Sequence, residues 1–199
     1  MAALSDVKIC NLSLSHIGES STIQALTENS PEASICDLWY DVAREEVLED
    51  FDWNFARARV VAAAHVDPAT SEWGFRYQYP ADALKIRGIE NPLGHGPDAL
   101  PFQVEYGSNG TRTVLTNAEQ ATLIYTKNVT TTSLFPPKFS IALSWKLASH
   151  IAFSVTGEIK IEERATEMYV RFVRSAIGSN ANEQTPRKER DAEAIRARN

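Results

Sequence analysis

The apolar residues of this chain change period twice. From Ser5 to Phe51 they recur every three or four positions, from Trp73 to Val129 they largely alternate, and from Phe139 to Ala176 the helical spacing returns. That order leaves few architectures open. A β module is inserted between two helical segments, and the N- and C-terminal helices must pack together to bury their faces. The expected fold is α+β: a four-helix, bundle-like core, an inserted small antiparallel β module and an extended C-terminal arm. Residues 1–66 and 136–178 form the helical bundle, 67–135 the β module and 179–199 a flexible arm.

Local signals place the elements. Ser5 is an N-cap with Asp6 in the first turn, and Val7, Cys10, Leu14 and Ile17 share one face ahead of Gly18, a left-handed C-terminal cap. Ser30-Pro31-Glu32 opens a second helix with a cap, a first-turn proline and an acid. Its apolar stripe is wide, so more than one side is packed. Residues 54–64, containing ARARVVAAA, read either as a helix or as a strand entering a sheet. The texture changes at Asp67-Pro68. GFRYQYP, Leu84 with Ile86 and Ile89, FQVEY, TRTVLT and ATLIYTKNV then give four or five short strands. Gly107-Ser108-Asn109-Gly110 is a hairpin turn, and NPLGHGPDALP a loop. Pro136-Pro137 ends the series, and two further helices stop at Gly157 and Gly178.

Charge and cysteine usage exclude several classes. The net charge is −6, from 26 acidic and 20 basic residues, which argues against a general nucleic-acid binder but suits a surface that DNA slides past. Cys10 and Cys36 are too few for a disulfide framework and sit in helical apolar patterns, as buried free thiols do. MAALSDVKIC lacks the pattern of a signal peptide, and no run approaches the ~18 apolar residues of a membrane span. A reducing cytoplasm is the expected place of synthesis or assembly.

Chemistry-bearing motifs are sparse. His16, His65, His95 and His150 have no metal-ligand spacing, neither cysteine has a CxxC partner, and there is no G-x-S-x-G. Neither a metal nor a cofactor is expected. Glu45, Glu46, Glu49, Asp50 and Asp52 offer carboxylate pairs for glycosidic cleavage, yet a wet helix face supplies the same residues. Arg57 and Arg59, after two aromatics, would suit a phosphate-contacting strand but equally pair with nearby acids. The stretch EDFDWNFARAR therefore reads as a structural junction of Phe51, Asp52, Trp53, Asn54 and Phe55. The rings anchor the helical core to the β module, Asp52 caps a turn or pairs with Arg57 or Arg59, and Asn54 bonds backbone at the bend.

Three stretches carry a family resemblance: ICNLSLSHIGESSTIQAL, SPEASICDLWYDVAREEVLEDFDWNFARARV and WGFRYQYPADALKIRGI. In order and content, over roughly residues 4–177, they resemble the tail tubular protein A family, the head-to-tail adaptors of short-tailed bacteriophages. The DWNFA and YPAD stretches are the specific part. The resemblance implies a structural virion protein without catalysis or cofactor, assembled in the host cytoplasm and lodged at the head-to-tail interface. It implies a homo-oligomeric ring of twelve subunits, with a portal protein at one end and a tail nozzle protein at the other. DNA passes through the bore without specific binding, and no membrane is involved. The charged arm suits docking onto the portal, with Arg187, Lys188, Arg190 and Ile195 as contact candidates. The β module, with its GHG and GSNG loops, would face the nozzle. The alternative is a virion-associated peptidoglycan hydrolase that doubles as a tail accessory factor, an activity linked to one related group of adaptors. No motif of it is matched here.

Overall fold

A computed structural model describes residues 4–90 and 100–182. Four helices and six strands follow in the order α1 (Asp6–His16), α2 (Pro31–Asp50), β1 (Arg57–Val61), β2 (Phe75–Gln78), β3 (Ala83–Glu90), β4 (Phe102–Tyr106), β5 (Arg112–Thr116), β6 (Thr122–Lys127), α3 (Pro137–Thr156) and α4 (Ile159–Ala181). The fold is α+β, with the β module inserted between the helical pairs. The loop around His95 and the arm residues Arg187, Lys188, Arg190 and Ile195 lie outside the described residues.

Helix boundaries follow the capping chemistry. The Ser5 hydroxyl accepts from the Lys8 N–H, and the Ser30 hydroxyl from the Ala33 N–H, each satisfying an otherwise orphaned first-turn donor. Gly18 and Gly157 take positive φ, +87° and +70°, where a side chain would be strained. Gly178 does not end α4, which continues to Ala181, beyond the expected boundary of the arm. α3 is the central helix, packed against α1, α2 and α4. Its buried residues, among them Phe139, Leu143, Leu147 and Ile151, hold the middle of the main core.

The β module is antiparallel, as expected. Its strands form two three-stranded antiparallel sheets, ordered β1-β6-β3 and β2-β5-β4. β1 resolves the ambiguity at residues 54–64 in favour of a strand, so the sheet begins before the composition change at Asp67-Pro68. Both sheets contribute to a second core, with Tyr77 and Val114 from one, and Ile86, Ile89, Leu123 and Tyr125 from the other. β3 is irregular, with register shifts between Ala83 and Lys85 and between Ile86 and Gly88. The extra residues turn Leu84 toward the helical core while Ile86 and Ile89 stay in the second. The GSNG turn joins β4 to β5 as expected, with the Gly107 N–H donating to the Thr111 carbonyl at 2.8 Å.

Candidate functional site

EDFDWNFARAR lies where α2 hands over to β1, and its polar groups face several elements at once. α2 ends at Asp50 because Phe51 turns extended (φ −146°, ψ 157°). Trp53 is also extended, and Asn54–Ala56 then form one short 3-10 turn before β1. The rings thus alternate across an extended stretch and a turn, not along one strand. Trp53 is 1% exposed. Its indole N–H donates to the Val47 carbonyl at 2.7 Å, and its ring meets Phe51 and Phe139 edge-on. Phe55 packs edge-to-face on Phe135 and Phe139. Five aromatic rings, three from the joint, Phe135 just before α3 and Phe139 in its first turn, thereby form one cluster, whose largely edge-to-face geometry adds to the area buried.

The polar residues of the joint have partners that periodicity could not show. Asp52 pairs with Arg57 at 3.5 Å, as one of the two expected alternatives; Arg59 instead faces Glu90 at 4.0 Å. Asn54 does bond a backbone group, but far along the chain. Its amide donates to the Asn180 carbonyl, and its backbone N–H to Asn180 Oδ1, both at 2.9 Å. The joint is therefore clasped to the end of α4.

Arg87, on β3, is the residue that sequence reasoning missed. Its Nη2 lies 2.8 to 3.1 Å from the carbonyl oxygens of Leu48, Glu49 and Phe51, and its Nε donates to Thr126 Oγ1 at 2.7 Å. A cation at this point answers an electrostatic problem. α2 ends in Glu49-Asp50 with no basic residue in its last turn, so carboxylates sit at the negative end of the helix dipole. That mismatch was visible in the sequence and called for a cation from elsewhere. Burial lowers the Arg87 pKa, while Asp52, Glu49 and Asp50 oppose the shift.

A second strut lies one turn away. Arg44 is buried on α2, bonded to Asp41 and, at 3.2 Å, to Asn128 Oδ1 just after β6. Glu45 accepts from Asn128 Nδ2 at 2.8 Å. The D-x-A-R-E run of α2 is thus the surface on which the outgoing strand is pinned. The YPAD turn between β2 and β3 has a similar role. Tyr79 stacks under Arg112, with the guanidinium carbon 3.9 Å from the ring centroid, and donates to the Leu84 carbonyl. Asp82 accepts from Tyr125 at 3.0 Å and pairs with Lys127 at 3.3 Å. One turn therefore ties β5 of one sheet to β6 of the other.

Of the acids considered for hydrolysis, Glu45, Glu46, Asp50 and Asp52 are held in structural pairs. Glu46 accepts from His150 Nε2 at 2.7 Å and from Lys146 Nζ at 2.9 Å. Burial alone would raise its pKa, but the Lys146 and His150 contacts prevail and lower it, the opposite of what a general acid needs. Asp50 accepts a hydrogen bond from the Tyr169 hydroxyl, whose pKa is raised by burial and by that carboxylate. Trp39 stacks on His150 at 4.8 Å, and Lys146 lies over the Tyr169 ring. Together these contacts tie α2, α3 and α4.

His16 stacks on Trp145 with 3.7 Å between centroids and bonds Ser144 at 3.0 Å. Cys10 and Cys36 are buried free thiols, and the Cys36 group beside Cys10, with burial, pushes the Cys10 thiol up. Among the described residues no group of three His, Cys, Asp or Glu is placed to hold a metal ion, and no helix is long and apolar enough to cross a membrane. No protein-family model matches the chain, and no curated protein matches it.

Proposed function

We propose that the protein is a structural connector, the subunit of a ring-shaped head-to-tail adaptor that joins a phage portal to a tail nozzle. One observation carries the reading. The two most specific stretches of the resemblance, DWNFA and YPAD, coincide with the two fastenings of the subunit. The first clasps the helical core to β1 and α4, and the second ties the two sheets together. These residues are engaged in holding modules in fixed relation, which a load-transmitting ring subunit requires, and the carboxylates of Glu46, Asp50 and Asp52 beside them are consumed by internal pairing.

Native mass spectrometry tests the reading. The protein is mixed with the portal protein encoded in the same genome. Closed rings seated on portal are expected; a mixture that retains only free 22.1 kDa subunits overturns it. Clearing of a peptidoglycan gel by the wild type, lost in Glu46→Gln, would turn the assignment to the hydrolase.

A further inference from the structure

α2 and α4 both pack along α3 and hardly on one another, and each leaves its outward face bare. The two faces differ in charge. Over Pro31–Asp50, α2 carries seven acids against Arg44, a net −6 that equals the charge of the whole chain. Its outward face presents Leu38, 64% exposed, and Val42, 42% exposed, beside Asp41, Glu45 and Glu49. Asp37, Asp41, Glu45 and Glu49 follow one another at spacings of four, where like charges repel. Asp37 and Glu49 have no cationic side chain in salt-bridge range among the described residues. On α4, Lys160, Arg164, Arg171 and Arg174 fall within about 80° of arc at ~100° per residue. Glu167 lies within that arc and Glu163 about 20° beyond its edge, which together leave four minus two, or +2, next to the exposed Val170.

We propose that the α2 face of one copy docks on the α4 face of a second copy, so that subunits join head to tail. Charge selects this pairing. Two α2 faces would set acid against acid, and two α4 faces cation against cation, so the symmetric contacts are disfavoured and the mixed one is favoured. A contact between two different patches leaves one of each free on every pair, and it continues until a ring closes. This assigns the lateral interface of the ring and rests on the connector reading above.

The test uses full-length chains and a short bismaleimide cross-linker, with Cys10 and Cys36 buried. Val42→Cys in one chain and Val170→Cys in another are mixed; Val66→Cys, 88% exposed on a loop, replaces the second as control. The Val42–Val170 heterodimer is expected at about tenfold the control yield. Adding Asp37→Lys and Glu49→Lys to the first chain should abolish the excess. Adding Arg171→Glu and Arg174→Glu to the second should restore it. Yields equal to the control, dominance of like-with-like products, or indifference to charge reversal overturns the proposal. The two readings fail separately. Rings on portal that ignore the reversals sink the interface alone, while reciprocal cross-links without portal binding sink the connector reading alone.

Discussion

At the scale of single residues, Trp53 bears the most. It is almost wholly buried, bonded to the Val47 carbonyl and wedged between Phe51 and Phe139. Trp53→Ala is expected to cost about 3–5 kcal/mol, from lost transfer energy and the cavity left behind. Urea denaturation of the variant checks this, and a fully stable Trp53→Ala protein would refute the role given to the joint. His16 sets a pH dependence. Burial lowers its pKa to about 4, whereas in the unfolded chain it titrates near 6.5. As pH falls the unfolded state therefore takes up the proton first. The contribution is intact above about pH 6.5 and is lost progressively down to about pH 4. The loss amounts to at most about 3 kcal/mol. In His16→Phe, which keeps a ring for Trp145, denaturation midpoints should fall less steeply across that window.

At the scale of elements, α2 depends on a side chain from another module. Arg87→Ala removes the cation from three terminal carbonyls and from Thr126, and is expected to cost about 2–3 kcal/mol. Hydrogen exchange should show faster opening of the last turn of α2, with the turns around Cys36 unchanged. An unaltered rate there would mean the carbonyls do not need Arg87. Elements of this kind also show what the sequence carried. Caps and periodicity are local, so Ser5, Ser30, Gly18 and Gly157 marked their helix ends, and the alternating strands were legible residue by residue. The rings of the joint were legible as a cluster because hydrophobic bulk announces burial. Their polar neighbours were not. Asn54 meets Asn180, Arg44 meets Asn128, and Arg87 meets the end of α2, each pair widely separated in the chain and selected by three-dimensional packing alone. The division of the strands between two sheets escaped for the same reason, since alternation reports that a strand has two faces and not which strand lies beside it.

At the scale of the whole molecule, the two cores are fastened by a few directional contacts, and both α2 and α4 turn a charged face outward. The mixed contact proposed between those faces is the one arrangement in which neither helix meets its own sign. One further consequence lies in the pairing of β1 with β6. Arg57, the first residue of the module, stands opposite Thr126, next to its last. The chain thus leaves the helical body and returns to it through positions roughly 5 Å apart. Everything between them is, topologically, a cassette hung from a single gate. Apart from β3, whose Arg87 holds the end of α2, such a segment can lengthen, shrink or be exchanged without moving the helix ends that flank it. Sequence drift can then reshape the far side of the module while the helical body keeps its shape.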